Sequence, residues 1–422
     1  MARRRKRTPI WVIPAWYAAL ALLTALYLPR LEIAFGLRLD TGIDPASMLA
    51  MFSAIASGMI ALTGIVFSLA FVMVQFSATA YSPRLVLWIA REPILWHSVG
   101  IFSATFLYAL GAISWVQRVP AGGGVPFFSA WLVIVLLVAS VGVFIALIQR
   151  MSLLQLYRML SFTADHGRRV IEDTYPSLDT PPSLPPPDAF GGLALTQTLR
   201  HAGRPVSLQA LDAPALLRLA TAAGAVLEVC ASVGDTLVEG TPMLRVHGGR
   251  PVDEDDLRAA FLVGVDRTFE QDPKYAIRLV VDIAIKALSP AVNDPTTAVQ
   301  ALDQIEDLLL RLGRRRLEIG AVRDASGSLR LSIPAPSWED FLALSFDEIR
   351  HYGADSVQVM RRMKALAADL TAALPEERHA ALRHHQRRLD AQIAKTFEVA
   401  EEKQEASVED RQGLGVPRKA AG

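Results

Sequence analysis

Cysteine is nearly absent from this chain, because Cys230 is the only one among 422 residues. An intramolecular disulfide is therefore impossible, and a reducing cytosolic setting is the simpler expectation for any soluble part. A strong net charge is absent too, since 43 Lys and Arg residues are balanced by 42 Asp and Glu residues. That balance gives no reason to expect a nucleic-acid partner.

The sequence also lacks the short motifs that mark common enzymes. It contains no P-loop, no G-x-S-x-G, no H-E-x-x-H and no G-x-G-x-x-G after a predicted strand. The nucleotide, hydrolase and metalloprotease chemistries that depend on these motifs are therefore not expected. We expect no cofactor. An enzyme that uses Asp266, Arg267, Asp282, Asn293 and Asp294 stays the last of the functional hypotheses, because a nucleophile and a metal constellation are missing.

Two clusters resemble metal sites without having their spacing. His379, His384 and His385 lie among arginines on a predicted exposed helix, without cysteine or acidic partners at ligand spacing. The acidic run 253–256 lacks the alternating ligands, the central glycine and the distal glutamate of a calcium loop. It is typical of the negatively charged start of a helix, so we expect no bound metal.

Apolar residues are abundant: they make up 52% of the chain, and the mean hydropathy is +0.30. These values are high for a soluble protein. Four apolar runs, at about 10–28, 46–77, 96–116 and 127–148, are long enough to cross a bilayer, which takes roughly 20 residues. The sequence therefore predicts an α-helical membrane domain of four transmembrane helices over 1–150, in contact with the lipid bilayer.

Basic residues set the expected orientation of these helices. They concentrate at 3–7, in the loop that holds Arg84 and Arg91, and after the fourth run, and they are fewer on the other side. Positively charged segments stay on the cytoplasmic side. We therefore expect a multi-pass protein of the cell inner (plasma) membrane with both termini in the cytoplasm.

The second apolar run carries a stripe of small and polar residues. Ser53, Ser57, Gly64, Ser68 and Gln75 recur at steps of four and seven, which keeps them on one helix face. One interpretation is close packing between helices through small residues. The other is a face that lines a water-filled path, which needs several copies of the chain. The run contains no charged residue, which argues against a proton relay.

The remainder of the chain changes character several times, and we predict an α+β cytoplasmic domain with a small β-barrel-like module and a helical C-terminus. The module resembles half of a biotinyl- or lipoyl-type barrel, but no lysine lies between Ala225 and Pro242 to carry a prosthetic group. In chain order we predict a helical stalk (151–175), a proline-rich linker (176–203), the β module (204–250), a helical region with a hairpin (251–337), C-terminal helices (338–403) and a disordered tail (404–422).

Two helices in the region 251–337 begin with the same signal. Asp272-Pro273 and Asp294-Pro295 each place a carboxylate at the N-cap and a proline at the first helical position. The first helix is expected to stop near Ser289, since Pro290 disfavours helical geometry in the residue before it. We predict that the turn between the helices has a structural role, because it joins two helices that pack on each other. The predicted contact between the two helices uses Ile277, Val281, Ile285, Val299, Leu302, Ile305 and Leu309.

A row of charged residues lies along one face of the first of these helices. Lys274, Arg278, Asp282 and Lys286 are four residues apart, and Arg267 precedes the same helix. One interpretation is a solvated or ion-paired surface. The other is a site for an anionic small ligand or for an acidic surface of a neighbouring subunit, because three of the four residues in the row are basic.

The residues from Ala287 to Ala298 resemble the signature of a bacterial family of predicted integral membrane proteins, domain of unknown function 2254. That signature reads A-L-S-P-x-x-N-D-P-x-T-A, and Thr296 stands where the family has a larger apolar residue. The resemblance implies a membrane-spanning N-terminal half followed by a cytoplasmic half, and it implies no particular activity. The matching residues of the turn are Ser289, Pro290, Asn293, Asp294, Pro295 and Thr297.

Two functional hypotheses follow from these patterns. The first is a homo-oligomer of the inner membrane that forms or regulates a conduction path, with the cytoplasmic half as a gate or sensor. The second is a membrane-anchored binding or scaffold protein without transport activity, in which the four spans only anchor and orient the cytoplasmic domain.

Overall fold

The computed structural model describes residues 11–35, 44–80, 93–118, 126–151, 156–186, 188–269 and 271–414. The chain divides into two compact units, Met1–Gln155 and Leu156–Gly422.

The N-terminal unit contains four apolar helices in its described part: α1 (Val12–Ala34), α2 (Pro45–Ala80), α3 (Pro93–Val116) and α4 (Phe127–Met151). Each contains a segment long and apolar enough to cross a membrane. The prediction of four apolar membrane helices is therefore confirmed, and their exposed apolar side chains contact lipid. Helix α1 continues past the predicted end at 28, through Pro29 to Ala34.

Helix α3 is at the centre of this unit, where it packs against α1, α2 and α4. Phe52, Tyr108 and Ala112 are fully buried in the core. A Cβ atom at Gly111 would lie 2.6 Å from the Cβ of Ala25. The close crossing of α1 and α3 therefore depends on a residue without a side chain at this point, as is common between membrane helices.

The C-terminal unit is a mixed helical and sheet domain. Its helices are α5 (Leu156–Thr174), α6 (Ala213–Ala223), α7 (Glu254–Ala259), α8 (Pro273–Ala287), α9 (Pro295–Gly313), α10 (Trp338–Tyr352), α11 (Val357–Ala373), α12 (His379–Thr396) and α13 (Ala400–Ser407). Its strands are β1 (Leu195–Arg200), β2 (Val206–Leu211), β3 (Val226–Val229), β4 (Thr236–Leu237), β5 (Pro242–His247), β6 (Phe261–Gly264), β7 (Ala321–Arg323) and β8 (Leu329–Ser332).

The strands form two sheets, of order β1-β5-β3-β8-β7 and β4-β2-β6, and no closed barrel is found in the described part of the chain. The barrel-like module is thus not confirmed. Strand β8 joins β3 in parallel, with Leu227 opposite Leu331, so the hairpin that we predicted in the helical region completes the larger sheet. One apolar core, which includes Leu208, Leu216 and Leu244, is shared by the two sheets and α6.

The predicted proline-rich linker is part of the folded unit. Strand β1 lies inside it and pairs with β5, where Leu199 is fully buried. Residues 181–186 of the proline-rich stretch before β1 belong to no helix or strand, and hydrogen bonds fix this stretch to the C-terminal unit. Ser183 N donates to Glu318 O at 2.7 Å, and Ala321 N donates to Ser183 O at 2.8 Å. These partners lie more than a hundred residues away in sequence, which is why the sequence pattern gave no sign of them.

The predicted stalk and tail also contain folded structure. Helix α5 packs against α8 and α9 within the C-terminal unit. The chain beyond residue 404 continues as α13 and then as a segment that contacts α11, where Asp410 N donates to Arg361 O at 3.3 Å and Gln358 Nε2 donates to Gly413 O. We predicted a single helix over 338–374 in the C-terminal region. This helix is divided into α10 and α11, because the chain turns at Gly353 and Ser356 caps a new helix.

Candidate functional site

Helices α8 and α9 begin at the two predicted Asp-Pro pairs. Asp272 Oδ1 accepts a hydrogen bond from Tyr275 N at 3.1 Å, and Asp294 Oδ1 accepts one from Thr297 N at 3.1 Å. Thr297 Oγ1 donates a further bond to Asp294 Oδ2 at 2.6 Å. Each aspartate therefore satisfies an amide that the start of a helix leaves without an intrahelical partner.

The segment Ser289–Pro295, which we name the signature turn, is closed by backbone hydrogen bonds. Asn293 N donates to Ser289 O at 2.9 Å, and Asp294 N donates to Ala287 O at 2.8 Å. Asn293 has a φ of +49°, the one positive value among the described non-glycine residues. Asparagine tolerates this left-handed geometry better than most residues. The middle of the turn is exposed, so it is available at the surface.

The turn with its two helices, the signature hairpin, is the centre of the helical part of the C-terminal unit. Its helices pack against each other and are contacted by α5, α10 and α11. Among the apolar residues predicted at the contact, Ile285 is half-buried. The others are buried: Ile277, Val281, Val299, Leu302, Ile305 and Leu309.

Helix α5 is held to the signature hairpin by a close crossing and by ion pairs. A Cβ atom at Gly167 would lie 3.0 Å from Ala276 Cβ and 3.0 Å from Leu308 Cδ2. Beside this crossing, Arg168 Nε lies 2.5 Å from Asp307 Oδ2. The helix that follows the last membrane span in sequence is therefore fixed directly to the helices of the signature turn.

Two of the four residues in the charged row, Arg278 and Asp282, are ion-paired. The Arg278 guanidinium lies 2.5 Å from Asp282 Oδ1 and 2.6 Å from Glu348 Oε2 of α10. The two half-buried lysines, Lys274 and Lys286, have no acidic partner within 4.0 Å in the part of the chain that the structure describes. The geometry at Arg278 fits the ion-paired interpretation, and a role for the row in ligand or subunit contact stays a prediction.

Arg267 is paired too, in a contact that the sequence analysis missed. Its guanidinium lies 2.7 Å from Asp272 Oδ2, and the Asp272 side chain is 1% exposed. Burial raises the pKa of Asp272, although Arg267 and the Tyr275 amide oppose that shift. A Cβ atom at Gly234, which has a φ of +92°, would lie 2.1 Å from the guanidinium. A glycine turn of the sheet region therefore lies directly against the ion pair at the start of α8.

The polar stripe of α2 lies on the surface of the N-terminal unit. Ser53, Ser57, Gly64, Ser68 and Gln75 are all exposed. Near the middle of the helix the stripe borders an open groove of about 600 Å³. The groove is lined by Ile60, Thr63, Gly64, Phe67, Ser68 and Phe71. Among the described residues of the N-terminal unit, Ser53, Ser57, Gly64 and Ser68 are therefore not buried by helix packing within one copy.

Glu32 is a buried carboxylate that the sequence analysis also missed. It is 4% exposed and accepts hydrogen bonds from Phe128 N at 2.6 Å, from Ser129 N at 3.0 Å and from Ser129 Oγ. It thus caps the start of α4 from the end of α1. The available signal was that Glu32 is the first acidic residue of the chain and lies four residues after the end of the first apolar run at 28.

The histidine cluster is only partly exposed, contrary to expectation. His384 is exposed, whereas His385 is 5% exposed and packs on Phe346 of α10. The sequence carried a sign of this, because His385 falls on one helix face with the buried residues Leu382 and Leu389. Among the described residues, no three His, Cys, Asp or Glu side chains are placed to hold a metal ion.

Comparison with known proteins identifies the family. The model of a family described as predicted membrane protein, DUF2254, matches residues 7–369. The chain belongs to this family. The match includes the signature turn, so the resemblance inferred from residues 287–298 is confirmed.

Two relatives extend this comparison. The chain is 27% identical over 376 residues to an uncharacterized protein of Mycobacterium bovis, which covers 85% of this chain and 70% of the relative. An uncharacterized protein of Mycobacterium tuberculosis matches with the same identity and coverage. No solved structure is significantly similar to the chain.

Proposed function

We propose that this DUF2254 protein forms a homo-oligomer in the inner membrane, in which the polar face of α2 lines a conduction path between copies. The C-terminal unit lies on the cytoplasmic side and acts as a gate or sensor. The observation that carries the proposal is the outward position of Ser53, Ser57, Gly64 and Ser68 on a helix that crosses the membrane.

Polar groups inside the N-terminal unit support this interpretation by contrast. Thr105 Oγ1 on α3 lies 2.9 Å from Ser140 Oγ on α4, and the Tyr108 hydroxyl donates to Ser129 O at 3.1 Å. Within one copy, polar side chains thus meet polar partners at helix contacts, which is the common arrangement in lipid. A stripe of small and polar residues on the outside therefore favours a further contact or a water-filled path beyond the single chain.

The scaffold hypothesis remains the second candidate, and one observation favours it. The groove beside Gly64 is lined mainly by apolar groups, including Phe67 and Phe71. An apolar groove with a glycine at its base suits a helix of a second copy better than it suits water. In that case α2 holds copies together without conducting ions, and the C-terminal unit serves as a binding platform.

The matched glycines of α2 separate these hypotheses. Gly64 and Gly58 both have open space around them, but they are about 120° apart around the helix, so Gly58 lies off the stripe. The full chain would be reconstituted in liposomes for ion-flux measurements and in nanodiscs for subunit counting. Wild type, Gly64→Leu and Gly58→Leu would be compared.

The channel proposal expects an oligomer that conducts, with both properties reduced in Gly64→Leu and retained in Gly58→Leu. An oligomer that passes no ions at any voltage or osmotic step would favour the scaffold. A wild-type protein that is monomeric in the bilayer would refute any role of the stripe as a subunit contact.

A further inference from the structure

The contact between α10 and α12 contains a buried histidine beside a carboxylate that is already paired with an arginine. The His385 side chain is 6% exposed, and its Nδ1 lies 3.8 Å from Asp347 Oδ1. The same oxygen lies 2.6 Å from the Arg388 guanidinium and 3.9 Å from that of Arg350. The imidazole packs on Phe346 with the ring centroids 5.2 Å apart. Two arginines and one histidine therefore share one carboxylate.

The surroundings offer little further negative charge for a protonated imidazole. The charged and titratable groups that act on His385 are Asp347 and Arg350 from α10, and His384 and Arg388 from α12. Asp347 is the one acid among these four groups. A proton on His385 would add a third positive charge around a single carboxylate, on a side chain that is itself buried, which is unfavourable unless the contact opens.

The nearby acidic groups on neighbouring elements are occupied. On α10, Glu348 lies 2.6 Å from Arg278 of α8. Between α11 and α12, Asp390 lies 2.5 Å from Lys364. Neither carboxylate is available to compensate His385 without giving up its present partner.

We propose that the α10–α12 contact is proton-responsive: acidification charges His385 and releases α12 from α10. The exposed histidine of the released state titrates normally, whereas burial lowers the pKa of the packed one to about 4. Between pH 6.5 and 4 the released state binds more protons, so the packed state loses stability as the pH falls. From these two pKa values, the ratio of released to packed protein rises roughly 30-fold between pH 7.5 and pH 5.0.

This inference is independent of the role of α2 and extends to the signature hairpin. Glu348 is the residue next to Asp347 on α10, and it contacts Arg278 of α8. Release of α12 would therefore remove a contact of the residue next to the one that pairs with the charged row. The structure of the C-terminal unit would then depend on pH, independently of any function of the membrane helices.

Hydrogen exchange of the full chain in detergent tests the proposal. Exchange in α10 and α12 would be measured at pH 7.5 and 5.0, corrected for intrinsic exchange rates, in wild type, His385→Gln, His385→Phe and the exposed neighbour control His384→Gln. We expect wild type and His384→Gln to open roughly 30-fold more often at pH 5.0, with less change in α9. Both His385 variants should lose this response, and His385→Gln carries the test if His385→Phe does not fold.

A wild type whose α12 shows no excess opening at pH 5.0 would overturn the proposal. So would a full response in His385→Gln, or an equal loss of response in His384→Gln, since either would place the titrating group elsewhere.

Discussion

Helices α8 and α9 both start at an Asp-Pro pair, but the two aspartates have different surroundings. Replacing each aspartate by alanine should therefore lower the free energy of unfolding by different amounts. Asp294→Ala removes the bond to Thr297 N, which costs about 1 kcal/mol for a typical N-cap. Asp272→Ala removes an equivalent cap and also leaves Arg267 without its carboxylate. Breaking a buried pair on one side costs about 3–5 kcal/mol.

The structure places the cost of Asp272→Ala near the lower end of that range. The Arg267 side chain is 33% exposed, so water can solvate it when the carboxylate is gone. Burial also raises the pKa of Asp272, which means that desolvation offsets part of the pairing energy. We therefore expect a total loss of about 3 kcal/mol, against about 1 kcal/mol for Asp294→Ala.

Hydrogen exchange at the starts of α8 and α9 in the full chain measures both costs. Since 1.4 kcal/mol corresponds to a factor of ten, Asp294→Ala should accelerate exchange at the start of α9 about fivefold. Asp272→Ala should accelerate hydrogen exchange at the start of α8 by about a hundredfold or more. Asp272→Asn, which keeps an N-cap acceptor and loses the charge, should fall between these values. Equal acceleration at the two sites would refute the argument that the Arg267 pair distinguishes them.

Three further substitutions test other contacts. Gly167→Leu should overpack the crossing of α5 with α8 and α9 and lower the unfolding midpoint of the C-terminal unit, at a cost of about 1–3 kcal/mol. Gly142→Leu places the same side chain in open space on α4 and should leave this midpoint unchanged. Arg362→Met should lower the free energy of unfolding by about 3 kcal/mol, because the arginine side chain is 6% exposed and is paired with two carboxylates of α9. Lys364→Met should lower it by less than about 1 kcal/mol, because the carboxylate that Lys364 pairs with is 56% exposed. Chemical unfolding measures both values. Glu32→Gln should speed hydrogen exchange at the start of α4 by about fivefold to thirtyfold, because it weakens charge-assisted bonds to the first amides of that helix.

Features that depend on neighbouring residues could be read from the sequence alone. The four membrane helices follow from the length of their apolar runs, and the starts of α8 and α9 follow from an aspartate and a proline in adjacent positions. The family was also readable, because its signature is a continuous string of residues. The turn itself obeys local rules, with Asn293 in the one left-handed position that it requires.

Features that join distant parts of the chain were decided by tertiary structure. Strand β8 pairs with β3 across about a hundred residues, and this pairing replaces the barrel that local strand signals indicated. The contact of Arg278 with Glu348 could not be read from helical spacing, because Glu348 lies on another helix. The glycine turn that lies against the Arg267–Asp272 pair comes from a distant part of the chain as well. Burial of His385 likewise depends on α10 lying against α12. Local propensities are set by near neighbours, whereas ion pairing and burial depend on which surfaces meet when the chain is compact.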